Sequence, residues 1–132
     1  MKQWFPWMVL AAVMVWAVPT IVHASGAAAA AAKTVTVKGE IVDLGCYLGH
    51  GAMGQKHKGC ATKCLAGGMP MGLLTNAGKL YLLAPNHDNG DPFAKAKDMA
   101  AEIVEVSGTL MQRNGLTAID VASVKPAAAA AR

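Results

Sequence analysis

The chain has 132 residues, with 12 basic side chains against 8 acidic ones, a formal net charge of +4, and 5% aromatic residues. The basic residues are scattered without a run of roughly five or more, a pattern that supports solubility and excludes the basic stripe of a nucleic-acid binder. Past the first segment only Tyr47, Tyr81 and Phe93 remain as aromatics, too few for a base-stacking platform.

The chain opens on MKQWFPW, with Lys2 as its single charge, and continues through an apolar run from Met8 to Val18 that Pro19 interrupts. Val22-His23-Ala24 then offers small side chains at the two positions that define a cleavage site. The run is shorter than the roughly 20 apolar residues of a membrane-spanning helix. Residues 1–24 are therefore expected to be a cleavable signal peptide, with the mature protein periplasmic or secreted and touching the membrane only during export. Residues 25–33 read as an alanine-rich linker and residues 126–132 as a disordered tail, because short alanine runs without an apolar face are marginal helices in water. One domain is expected over residues 34–125.

Val35-Thr36-Val37-Lys38-Gly39-Glu40-Ile41 alternates apolar and polar residues, and Val104-Glu105-Val106-Ser107-Gly108-Thr109-Leu110 repeats the pattern position for position. A mid-strand glycine in each predicts a sharp bend or bulge, as in a small closed sheet. Gly72–Thr75 and Lys79–Ala84 flank Asn76-Ala77-Gly78, which predicts a hairpin, and Arg113-Asn114-Gly115 joins the Val104 strand to Leu116–Val124 in a second one. Between the hairpins Asp91 is placed to cap a helix and Pro92 to open it, with Phe93, Ala96, Met99 and Ala100 on one stripe. The predicted fold is mainly β: a small five-stranded OB-like barrel with one helix between strands 3 and 4. A Cys/His-bearing helical insertion, residues 45–70, follows strand 1.

That insertion holds all three cysteines, Cys46, Cys60 and Cys64, and two of the four histidines, His50 and His57. The spacing from His57 onward suits a short helix ended by Gly67, which puts His57, Cys60 and Cys64 on one face. A Cys60–Cys64 pair on that helix points the same way and makes a poor disulfide. A bridge from Cys46 to Cys60 closes a loop of about 15 residues and contributes about 3 kcal/mol by the chain-entropy argument. Either bridge from Cys46 leaves one thiol over. Proximity to the helix start and to Lys56, Lys58 and Lys63 makes Cys60 the expected accessible thiol and Cys46–Cys64 the expected bridge, with Cys46–Cys60 as the competing pairing.

An odd cysteine in an exported chain also points to a metal. Cys46, His57, Cys60 and Cys64 supply three thiolates and an imidazole, a ligand set for zinc or copper, with His50 as a substitute nitrogen. The neighbouring Met53, Met69 and Met71 tilt that choice toward copper if they face the site, and are core filling if they do not. His87 reads as a solvated turn residue. The C-x3-C spacing matches neither a zinc ribbon, a haem attachment site nor a thioredoxin motif, and no nucleophile or phosphate-binding motif is present, so no enzymatic activity is expected. The stretches GEIVDLGCYLGHG, CATKCLAGGMPMGLLT and GKLYLLAP resemble small exported bacterial proteins sharing a CY, H, CA, C, GG-P pattern, over residues 35–124. The resemblance implies that Cys46, Tyr47, His57, Cys60 and Cys64 act as one unit and brings no activity with it. Two functions stay open: a metal-binding domain, and a disulfide-stapled module that binds a small ligand or an exported or membrane-attached partner protein.

Overall fold

The computed structural model describes residues 33–128. The expected signal peptide, most of the linker and the last four residues of the tail lie outside them. The element order is β1 (Lys33–Asp43), α1 (Leu44–His50), a 3-10 turn (Gln55–His57), α2 (Lys58–Ala66), β2 (Met71–Leu74), β3 (Leu80–Pro85), α3 (Asp91–Lys97), β4 (Ile103–Arg113) and β5 (Leu116–Pro126). The strands close into a barrel in the order β1-β2-β3-β5-β4. All neighbours are antiparallel except β3 and β5, which run parallel from Leu82 opposite Ala118 to Pro85 opposite Val121. This is the predicted small OB-like barrel, with α3 between the third and fourth strands and the helical insertion after the first. Among the described residues no helix is long and apolar enough to cross a membrane.

Alternation drives the closure. Along β1, Val35, Val37 and Ile41 face inward while Thr34, Thr36 and Lys38 face solvent. Val104 and Val106 of β4 and Ile119 and Val121 of β5 meet them in the core. Both hairpins form where expected. Asn114 and Gly115 have φ 49° and 84°, the positive pair that a two-residue hairpin turn demands, and Gly78 has φ 77°. The tail begins later than the composition suggests: β5 runs through Pro126, and the Ala127 N–H donates to the Ile103 carbonyl at 3.0 Å.

The two mid-strand glycines mark where backbones cross closely. A Cβ on Gly39 would stand 2.6 Å from the Leu74 carbonyl oxygen, and one on Gly108 would overlap the Asp120 carbonyl. At Gly108 the ladder slips, with Ser107 opposite Ser123 but Gly108 opposite Val121, so Ala122 bulges out of β5.

Helix α3 caps the barrel by burying Ala96, with Ala100 buried just beyond it and Phe93 and Met99 packed against the core. Its start differs by one residue from the expectation. Gly90 occupies the cap position and Asp91 is the first helical residue, because the Asn89 side chain, not Asp91, accepts the first N–H of the helix, that of Asp91, at 3.1 Å.

The glycines yield opposite expectations. Gly108→Ala meets backbone that has no free rotamer to yield, so it should cost about 2–3 kcal/mol and lower the Tm by roughly 10–20 °C. Gly59→Ala, in α2 with open space around the new methyl group, should raise stability by about 0.5–1 kcal/mol. Thermal and urea unfolding of the two variants beside the parent protein measures both.

Candidate metal centre

The site is built on the last residue of β1. Asp43 is 2% exposed and is the one charged side chain buried in the core among the described residues. From its extended conformation the carboxylate accepts the backbone N–H of Gly45 at 3.0 Å and of Cys46 at 3.2 Å, satisfying two of the orphan donors at the start of α1. Gly51, at φ 70°, closes the helix by donating to the Tyr47 carbonyl at 2.8 Å. Between these caps α1 holds Cys46 in its first turn.

Helix α2 is anchored independently. Ala61 and Leu65, four residues apart, insert into the core, which places Cys60 and Cys64 on the flank of the helix. Gln55 Nε2 donates to the Ala101 carbonyl at 2.7 Å, Lys58 Nζ pairs with Glu102 at 2.6 Å, and the Gly54 N–H donates to the Glu40 carboxylate. Gly67 ends the helix as expected, its N–H donating to the Lys63 carbonyl at 3.0 Å, and Gly68 takes the positive φ of 93°.

These two anchored helices bring the three sulfurs together. The Sγ atoms of Cys46, Cys60 and Cys64 all lie within 4.8 Å of one another, and those of Cys46 and Cys60 are 4.0 Å apart. Two sulfurs each about 2.3 Å from one ion stand about 3.8 Å apart at the tetrahedral angle and about 4.0 Å apart at the trigonal one. The separation therefore suits shared coordination with little movement. A disulfide needs about 2.05 Å, and all three cysteines are free thiols here. Cys60 is exposed, as its place near the start of the helix suggested, and Cys64 is half-buried.

The carboxylate and the sulfurs shift one another. The hydrogen bond to Asp43, then loss of solvent and the neighbouring Cys60, push the Cys46 thiol from an ordinary 9.0 up to about 12. Burial and then Cys60 push the Cys64 thiol up as well. Burial alone would raise Asp43, but the Cys46 thiol, the N–H groups of Cys46 and Gly45 and the Cys64 thiol outweigh it and hold the carboxyl below 3.8. Cys46 and Cys64 thus keep their protons, and the negative charge stays on Asp43.

His57 lies half-buried just ahead of α2 and lines the same small cavity as Asp43, Cys46 and Cys60, but no imidazole nitrogen belongs to the three-sulfur cluster. His50, exposed at the end of α1, places its ring centroid 6.4 Å from that of His57. The methionines divide. Met71 is sealed in the core, Met69 is partly exposed with its methyl beside Gly45, and Met53 lines the cavity. His87 is an exposed turn residue, as expected, in a loop where the Asn86 side chain accepts the N–H groups of Asp88 and Asn89.

Asp43 is the residue that sequence reasoning missed. Its signal was present: an aspartate directly before Leu44, with a glycine closing the segment at Gly51, is the cap pattern of a short helix. The cavity measures about 10 Å³, about the space of one water-sized occupant. A wider hollow of about 550 Å³, lined by residues such as Leu82, Met111, Arg113 and Leu116, opens elsewhere, on β3, β4 and β5. No family model, curated protein or solved structure matches the chain.

At pH 8 Cys46 should be alkylated much more slowly than the same cysteine in the unfolded chain, because only the thiolate reacts. Asp43→Asn removes the charge that holds the proton, so the Cys46 rate should rise about tenfold or more, the gain in thiolate outweighing its lower nucleophilicity. Mass spectrometric mapping of label at each cysteine reads the outcome, and an unchanged Cys46 rate would show that the carboxylate does not control the thiol.

Proposed function

We propose that this protein is an exported metal-binding domain that holds one soft transition-metal ion, copper or zinc, on the thiolates of Cys46, Cys60 and Cys64, with His57 turning in as the fourth ligand. The observation that carries this reading is the meeting of three sulfurs within 4.8 Å from two separately anchored helices. The water-sized cavity beside them supports an ion as the occupant. The role proposed is binding, because the side chains that meet in the site are three sulfur donors.

Protein purified under reducing conditions and loaded with zinc(II) or copper(I) should retain one equivalent after desalting, and less than about a tenth of an equivalent overturns the proposal. Replacing any one cysteine by serine should weaken binding by more than the roughly 10–100-fold that loss of an outer-shell partner costs. His57→Ala should cost less than any of these, since its nitrogen has to move to reach the ion. Affinity should also rise with pH between 6 and 8. The raised thiols of Cys46 and Cys64 are protonated there, so each ion displaces protons and higher pH favours the bound state.

A second reading is a disulfide that staples the insertion to the barrel, leaving a module for a small ligand or a partner protein. The contact of Cys46 with Cys60 at 4.0 Å favours that pairing over Cys46–Cys64. Peptide mapping of the non-reduced protein separates the readings: an intact bridge rejects the three-thiolate site, and three free thiols that take up metal reject the staple.

A further inference from the structure

Two histidines meet outside the three-sulfur cluster. His50 ends α1 and His57 ends the 3-10 turn, and the loop between them is fixed at several points. Gly51 and Gly54 turn it with φ 70° and 75°, Ala52 is buried, and the Gly54 N–H donates to the Glu40 carboxylate. The His57 N–H then donates to the Gly54 carbonyl at 2.9 Å. This course brings the two ring centroids to 6.4 Å from each other, with the ring planes inclined by 58°. Among the described residues neither ring enters an ion pair.

An imidazole nitrogen binds a metal at about 2.0–2.1 Å, which puts the ring centre about 3.2 Å from the ion. Two such rings stand about 5.2 Å apart across a tetrahedral angle and about 6.4 Å apart across a linear one. The observed separation is the linear value, the arrangement that a two-coordinate cuprous or silver ion prefers. Met53 offers a thioether to the same kind of ion: it is 53% exposed and, with His57, lines the cavity that Cys46 and Cys60 also line. We propose that His50 and His57, with Met53, form a second, outer site for a soft monovalent ion, copper(I), and that His57 passes the ion inward to the cysteines. His57 belongs to both surroundings, its ring beside that of His50 and its side chain at the cavity wall with Cys46 and Cys60. As the ion moves, its bond to His50 breaks and bonds to sulfur form, each thiol proton passing to water, while His57 stays attached. The outer site stands on the histidine geometry; the transfer rests on the metal-binding reading and deepens it by giving the ion a route in.

The test uses silver(I), a redox-inert stand-in for copper(I), and a variant combining Cys46→Ser, Cys60→Ser and Cys64→Ser, which removes the inner site. None of the three cysteines belongs to the buried core cluster, so the fold should persist. Titration followed by NMR should show one ion bound, with the ring signals of His50 and His57 and the methyl signal of Met53 shifting together. The ring of His87, an exposed turn residue, should stay unmoved. Adding His50→Ala to that variant should weaken silver binding by about tenfold or more, whereas His87→Ala should not. In the reduced parent protein His50→Ala should slow loading of the sulfurs by about threefold or more, because the ion is no longer held close to them. Charge-transfer absorption in stopped flow reads that rate, and it tests the histidine whether or not the serine variant folds. Ring signals that do not shift, or equal effects of His50→Ala and His87→Ala, would overturn the outer site even where the three sulfurs load. An unchanged loading rate would overturn the transfer. Sulfurs that never load in the parent would overturn the metal reading of the cluster and the transfer with it, and the ring shifts would then decide the outer site alone.

Discussion

The hydrogen bonds of the Asp43 carboxylate hold the strand-to-helix junction on which the site depends. β1 enters the barrel interior with three consecutive buried residues, Ile41, Val42 and Asp43, the last opposite Met71 of β2. A chain that turns directly from a buried strand into a helix has backbone donors with no water to receive them. Asp43 receives two of them from inside, and so fixes the direction in which α1 leaves the barrel. The same residue that solves this backbone problem brings a negative charge under the cysteines, so fold and site share one requirement.

The second helix reaches the site by a different route. Ala61 and Leu65 hold α2 to the core, while the segment after α3 holds its approach: Ala101 accepts from Gln55, Glu102 pairs with Lys58, and the Ala101 N–H donates to the Ile41 carbonyl at 2.8 Å. Ala101 adopts φ 60°, a costly conformation for a side chain with a Cβ, and is held there by these contacts. Strain at the wall of the cavity, together with tethers from β1 and the β4 approach, makes the insertion a supported part of the barrel. Its cysteines are therefore preorganised and do not depend on a metal to find one another.

Periodicity carried most of the fold in readable form. The alternation around Gly39 and Gly108, the Asn-Gly turn and the Asp-Pro helix start each reflect a local constraint, and local constraints are visible in a single chain. The meeting of Cys46 with Cys60 and Cys64 was legible only as clustering in sequence. Their distances depend on where two short helices leave the barrel, which tertiary packing decides. α1 itself escaped notice because its seven residues, including two glycines and no buried side chain, show no apolar stripe. Only its caps announce it. The core-facing residues of α2, Ala61 and Leu65, were hard to read for a related reason: a small alanine leaves a weak periodic signal.

The chemistry of the cluster follows from how differently its possible bonds use the three sulfurs. The Asp43 carboxylate is held by the backbone N–H groups of Gly45 and Cys46, a pairing that does not depend on what the sulfurs bind. A Cys46–Cys60 bond would draw together sulfurs already 4.0 Å apart and leave Cys64 as a spare thiol. An ion held by all three sulfurs would use Cys64 as well, whose Sγ lies within 4.8 Å of both others. Of the two changes, the ion uses all three sulfurs and the disulfide uses two. The placement of that third sulfur, more than the short contact of Cys46 with Cys60, is the physical ground for reading the cluster as a candidate metal site.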